Sequence, residues 1–258
     1  DWDQLTWNWT GIPHFDQMFA EGWSTLRENT LGYVKFEYDI STNMHFQITP
    51  YIHKNEGRGD WIPPYLVAAV DAEGNPTNEG GSIAGSYGFT DQLGNPLTPA
   101  AGCTDNLSWP WDSGSGLAPS CYDRNAVPVM SYRHTHYQKD RLGLTANFEW
   151  SVGINDIAFG LWAETNDRDE SRDWHKVIDA RVYHHFDETP YWIQYDREFP
   201  VETMMFYIED ELDLGFAKVQ MGLKQFNVDV AKNDNYVSAN DKSVTSDSDL
   251  LFSAGFVA

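Results

Sequence analysis

The chain has 258 residues, a formal net charge of −22, 15% aromatic residues including 11 tryptophans, and a mean hydropathy of −0.52. The acidity excludes a nucleic-acid-binding surface, because contacts to phosphate need clustered lysine and arginine. No apolar run approaches the ~18 residues of a membrane-crossing helix, which excludes helical membrane proteins but not barrels, whose half-polar strands vanish in a hydropathy average.

In chain order, the first patterned segment is 33–40, where Val34, Phe36, Tyr38 and Ile40 alternate with Tyr33, Lys35, Glu37 and Asp39. After Ser41-Thr42-Asn43-Met44, the segment 45–54 sets Phe46, Ile48 and Ile52 against His45, Gln47, Thr49 and His53, so the pair predicts a β-hairpin. A long loop, 55–132, follows. It holds Cys103 and Cys121 amid Gly, Pro, Ser and Asp. A disulfide between them would contribute ~3 kcal/mol in the chain-entropy model and implies an oxidising compartment. The other readings are two unpaired thiols, or a two-cysteine metal site that lacks its second pair.

The segment 136–154 carries the strongest pattern. From Arg141 to Ile154, Leu142, Leu144, Ala146, Phe148, Trp150, Val152 and Ile154 share one side, and Arg141, Gly143, Thr145, Asn147, Glu149, Ser151 and Gly153 the other. Soluble strands usually stop at ~5–6 residues, whereas a tilted strand crossing a bilayer needs ~9–11. Asn155-Asp156 predicts the next turn, after which Ile157, Phe159, Leu161 and Ala163 resume the apolar face in 157–166. A third hairpin joins 191–212, through Met204, Phe206 and Ile208, to 217–230, through Val219, Met221 and Leu223, by a turn near Asp213-Leu214-Gly215. The segment 249–257 completes about seven strands.

Tight turns alternate with the long connections 55–132, 166–190 and 231–248. In an up-and-down sheet alternate connections lie at the same end, so one end is trimmed and the other carries every insertion. Bacterial outer-membrane barrels have this asymmetry, with short periplasmic turns and long extracellular loops. The expected fold is therefore all-β, a portion of an antiparallel up-and-down transmembrane β-barrel.

The stretches Tyr33-Val-Lys-Phe-Glu-Tyr-Asp39, Arg141-Leu-Gly-Leu-Thr-Ala146, Arg172-Asp-Trp-His175, Trp192-Ile-Gln-Tyr195, Met205-Phe-Tyr-Ile208, Met221-Gly-Leu-Lys224 and Leu250-Leu-Phe-Ser-Ala-Gly-Phe256 resemble the barrel of TonB-dependent outer-membrane receptors, over residues 30–258. The resemblance implies the outer membrane of a Gram-negative bacterium and uptake of a scarce nutrient such as a ferric siderophore, cobalamin or oligosaccharide. It also implies energy from TonB through a plug domain inside a barrel of about 22 strands. Seven strands cannot close such a cylinder and no plug-like region precedes the first of them, so 1–258 is expected to be an internal piece of a barrel domain that lacks the plug. A secreted all-β carbohydrate-binding or carbohydrate-hydrolysing protein is the alternative. The turn-and-loop rhythm favours the receptor, since sandwiches seldom place all insertions at one end.

No nucleophile elbow, phosphate loop or paired zinc motif is present, and the separations of Asp60, Asp105, Asp112 and Asp123 are undefined by sequence, so no enzyme is expected. His134, His136, His175, His184 and His185 read as ordinary polar-face histidines, with no metal or cofactor expected. The run 166–173 has the oxygens calcium takes but lacks the glycine and final glutamate of a calcium loop, and reads as a solvated loop tip. Asn8-Trp9-Thr10 and Asn106-Leu107-Ser108 match a glycosylation pattern short enough to arise by chance. For a small-molecule or oligosaccharide ligand, Trp61, Tyr65, Trp109, Trp111 and Tyr122 offer flat faces for stacking, and Arg58 and Arg124 offer pairing to carboxylates. The other reading makes these aromatics the loop's own small core around the disulfide.

Overall fold

The computed structural model describes residues 5–10, 16, 18–63, 66–75, 77–86, 89–90, 97–106, 117–123, 127–128, 130–178 and 185–257. A strand broken at Val34-Lys35, β1 (Thr25–Tyr33) and β2 (Phe36–Ser41), lies against β3 (Met44–Trp61). Two small ribbons follow, β4 (Leu66–Val70) with β5 (Ser82–Ser86) and β6 (Phe89–Thr90) with β7 (Val127–Pro128). The remaining strands are β8 (Ser131–Val152), β9 (Asn155–Lys176), β10 (Trp192–Asp213), β11 (Lys218–Asp234), β12 (Lys242–Asp247) and β13 (Leu251–Val257), the last two forming a second broken strand along β11.

These elements make one antiparallel sheet in chain order, β1–β3–β8–β9–β10–β11–β12, with β2 beside the other half of β3 and β13 beside the other half of β11. The all-β, up-and-down antiparallel architecture expected from sequence is the one observed. The sheet is not closed: among the described residues, the outer edges of the first and last ribbons pair with no strand.

The strands run further toward the loop end than the apolar alternation suggests. Pairing of β3 with β8 continues to Trp61 and Arg133, and pairing of β8 with β9 to Ser131 and Lys176. The long connection is thus 62–130 rather than 55–132, and Arg58 and Trp61 belong to β3. The run 166–173, expected as a loop tip, lies wholly within β9. Its oxygens alternate between faces, so they cannot wrap one ion as a calcium loop does.

One turn also differs from expectation. The hairpin closes at Gly153-Ile154, with Val152 opposite Asn155. Gly153 has φ +65° and no residue other than glycine has positive φ among those described, as a two-residue turn with glycine first requires.

Paired residues share a face, so register sorts the side chains. One face carries Phe46, Phe148, Phe159, Ile208, Leu223 and Phe252 in a row across the sheet, flanked by the row of Ile48, Ala146, Leu161 and Phe206. On β11 this face changes to Gln225 and Asn227, which bond Ser248 and Asp247 where the last ribbon is broken. The opposite face is polar. There Arg141 grips Glu164 with Nε at 3.0 Å and Nη2 at 2.7 Å, Tyr51 donates to Glu164, and Trp162 Nε1 donates to Tyr51 at 2.9 Å.

Gly143 and Gly160 lie on this polar face beneath the rings of Tyr51 and Tyr207, where an added Cβ would overlap the ring. The glycines let the tyrosines lie flat across the intervening strand and reach Glu164 and Asn147 two strands away. Gly143→Ala is expected to cost ~1–3 kcal/mol, as overpacking does. The check is the urea midpoint of the folded chain in detergent, and the cost should shrink in a Tyr51→Ala background.

Candidate functional site

The apolar core gathers at the loop end rather than beneath the apolar face. The described buried hydrophobic residues are Phe19, Ile62, Phe89, Cys121, Met130, Tyr132, Trp174 and Trp192. They lie in the segment before β1, in the 62–130 connection or in the loop-end stretches of β8, β9 and β10.

On the polar face, Trp61, Arg133, Trp174 and Trp192 stand side by side because their strands are in register. Trp174 stacks on Trp192 with centroids 5.9 Å apart, Trp61 meets Trp174 edge-on at 6.3 Å, and the Arg133 guanidinium lies 5.0 Å over the Trp61 ring. Trp192 Nε1 donates to the Gly80 carbonyl at 2.8 Å, tying the 62–130 connection to the sheet.

The apolar face becomes a polar, partly covered cluster at this end. Asp60, His134 and Asp173 are directly paired across β3, β8 and β9, as are Tyr132 and His175 one step above. Asp60 is held as a fully buried carboxylate by Arg58, through Nε at 2.7 Å and Nη2 at 2.9 Å, with Ser24 and Tyr132 donating hydroxyls to Oδ2. His136 Nε2 donates to Asp173 Oδ2 at 3.2 Å, and His175 Nδ1 donates to the Asp187 carbonyl at 2.6 Å. Phe186 caps the group with its ring 5.1 Å from that of His134 and 5.3 Å from that of His175.

Electrostatics follow from this burial. Desolvation, helped by the charge of Arg58, lowers the His134 pKa to about 4, so the ring is neutral at pH 7. Burial together with the charge of Asp60 pushes the Tyr132 hydroxyl up to about 12. For Asp173, burial favours the protonated acid, but the hydrogen bond from His136 and the closeness of His175 outweigh it and hold the carboxyl well below its usual range. Burial likewise opposes charge on His175, yet the Asp173 carboxylate and Asp187 carbonyl raise its pKa.

The residues proposed from sequence for ligand contact do not form one described group. Arg58 is committed to Asp60, Trp61 belongs to the tryptophan cluster, and Tyr122 packs on Phe89 with centroids 4.5 Å apart beside the disulfide. Tyr65, Trp109, Trp111 and Arg124 lie outside the described residues, as do His184 and much of the Asn106-Leu107-Ser108 pattern. Cys103 and Cys121 are joined in a disulfide, so these sulfurs and Asp105 are not a thiolate metal set.

His134 and His175 are buried rather than displayed on a solvated polar face. A turn at Asn155-Asp156 would set His134 opposite Val177, whereas the turn at Gly153-Ile154 sets it opposite Asp173. A Gly-X pair as the two turn residues is the sequence signal that locates this site.

No family model and no curated protein matches this sequence. Among solved structures, the chain is similar to the ferric citrate transporter FecA in its unliganded form, with 7% identity and a TM-score of 0.49, covering 90% of this chain and 25% of that one. It is also similar to the siderophore receptor PiuA from Acinetobacter baumannii, with 11% identity and a TM-score of 0.30, covering 90% of this chain and 44% of that one. The chain therefore spans a quarter of the first protein and less than half of the second.

Asp60→Ala is expected to leave Arg58, Ser24 and Tyr132 without their shared acceptor and to cost ~1–3 kcal/mol, the penalty of stranded buried donors. The loss should appear as a lower urea midpoint and faster protease cleavage within 62–130. Asp60→Asn, which keeps one acceptor oxygen, should fall between the two.

Proposed function

We propose that this chain forms part of an outer-membrane β-barrel acting as a TonB-dependent receptor and transporter for a small-molecule or oligosaccharide ligand. The observation that carries the reading is the water-exposed apolar band at the turn end of one sheet face. Leu142 is 61% exposed, Ile208 45%, Phe252 80% and Phe256 79%. A patch of this extent on a soluble protein is a liability, whereas lipid would cover it. From Leu142 to Val152 the band follows ~33 Å of strand, or ~25 Å in height at a tilt of ~40°, which matches the apolar belt of outer-membrane barrels.

The rest of the architecture supports the same reading. The polar face opposite the band suits a wet or plug-filled lumen. The turns at Thr42-Asn43, Gly153-Ile154 and 214–217 suit the periplasmic side, and the connections 62–130, 177–191 and 235–241 the extracellular side. A secreted sandwich would need a second layer over the band, while the described buried residues cluster at the other end. Ligand contact is assigned to the loop end, to Trp61 and the tryptophans beside it and to the aromatic residues of the long connection. Coupling to TonB would pass through a plug domain.

Ile208→Arg is expected to lower folding stability in phospholipid vesicles by ~2–4 kcal/mol, the cost of arginine near the bilayer midplane. Gln138→Arg, on the same face beyond the band, should change it by no more than ~0.5 kcal/mol. Protease added to whole cells should cut within 62–130 and spare the strands. A chain that stays in the soluble fraction, with Ile208→Arg no worse than Gln138→Arg, would refute the reading.

A further inference from the structure

We propose that His134, Asp173 and His175 bind one divalent transition-metal ion, of the kind zinc represents, as a structural clasp at the loop end of the sheet. This site stands independently of the transport reading, since it rests on the β3–β8–β9 register and on side-chain geometry alone.

The donor atoms converge. His134, Asp173 and His175 can each turn one ligand atom toward a common point, and these atoms all lie within 4.8 Å of one another. His134 Nδ1 is 3.7 Å from Asp173 Oδ1, and His175 Nε2 is 3.2 Å from the same oxygen. Two ligands each ~2.0–2.1 Å from a tetrahedral zinc stand ~3.3 Å apart, so the second separation fits coordination to one ion. Both histidine side chains are only 5% exposed.

Hydrogen bonding settles which atoms face inward. His175 donates from Nδ1 to the Asp187 carbonyl, so Nε2 is the atom that faces the carboxylate, and with that ring neutral it presents a lone pair there. Neither His175 Nε2 nor Asp173 Oδ1 has a hydrogen-bond partner of acceptable geometry despite their closeness, and His134 turns Nδ1 toward the same oxygen. A cation held between His175 Nε2 and Asp173 Oδ1 would coordinate both. The surrounding groups act as outer supports. His136 holds Asp173 Oδ2 and leaves Oδ1 to the site, the Asp187 carbonyl orients His175, and Asp60 Oδ1 lies 4.0 Å from His134 Nε2 on the far side of that ring. The nearby positive charge of Arg58 is paired with Asp60.

Two imidazoles and one carboxylate suit zinc and its first-row neighbours rather than calcium or magnesium, which take oxygen ligands. Phe186 and Tyr132 cover the group, and with three protein donors a tetrahedral ion would take water as its fourth ligand. An ion here would join β8 to β9 and, through Asp187, fix the return of the 177–191 connection.

The test uses the whole chain, folded in detergent and stripped with a chelator, titrated with zinc against a chromophoric competitor. One zinc per chain is expected, with affinity falling at least ~10-fold in Asp173→Asn and in His175→Ala and unchanged in His45→Ala, a histidine at the turn end. Cobalt added to the unmutated chain should give the intense visible bands of a tetrahedral centre, a readout that needs no variant to fold. Absence of stoichiometric zinc binding, zinc binding indifferent to both substitutions, or a cobalt spectrum of six oxygen ligands would each overturn the proposal and leave a protonated His175 paired to Asp173.

Discussion

Register is the constraint from which the other features follow. β3, β8 and β9 pair without a slip from the turns to the loop end, over strands of 18, 22 and 22 residues. Because side chains alternate with a period of two, parity set at Gly153 persists to Ser131 and Lys176. The exposed Leu142 and the buried His134 therefore share a face, eight residues apart on one strand. A single inserted residue between them would send His134 to the polar face and dismantle its pairing with Asp173.

That one face meets two environments. Near the turns its side chains are apolar and unburied by protein, so their favourable burial must come from outside the chain. Near the loops the same face carries Arg58, Asp60, His134 and Asp173, and protein covers it in the form of Phe186, Ile62 and the segment around Trp9. The change falls where Leu142 gives way to Asp140 on β8 and Thr165 to Asp167 on β9. Past this line the ladder continues because backbone hydrogen bonds depend little on which side chains flank them, although exposed bonds contribute less.

This also explains what the sequence discloses. Alternation is legible only where the two faces meet different solvents, so the hairpins around Leu142–Val152 and Met204–Ile208 and the chain-order meander can be read directly. Beyond the band both faces are wet or variably covered, and charged residues occupy both parities, as in Asn166-Asp-Arg-Asp-Glu-Ser-Arg-Asp173. Such a run looks like a loop because period two has vanished from hydrophobicity while remaining in geometry. The candidate site was hidden for a related reason: its residues are about 40 positions apart in the chain, and they meet only if the hairpin turn is placed at Gly153-Ile154. Moving the turn two residues keeps every face correct but displaces each partner by four.

The two halves should consequently depend on different forces. The turn half has polar-face hydrogen bonds but no described apolar core, so its folding is linked to the medium that covers the band. The loop half has its own core, with Trp174 and Trp192 on one face and Ile62, Met130 and Tyr132 on the other, and the Cys103–Cys121 bridge in the connection beside it. Its polar centre is the expensive part, since buried carboxylates and imidazoles are stable only when their partners are complete. Asp60 has such partners in Arg58, Ser24 and Tyr132. Asp173 has one on Oδ2 and faces two imidazoles with Oδ1, so the balance of this half turns on what that oxygen and the two rings share.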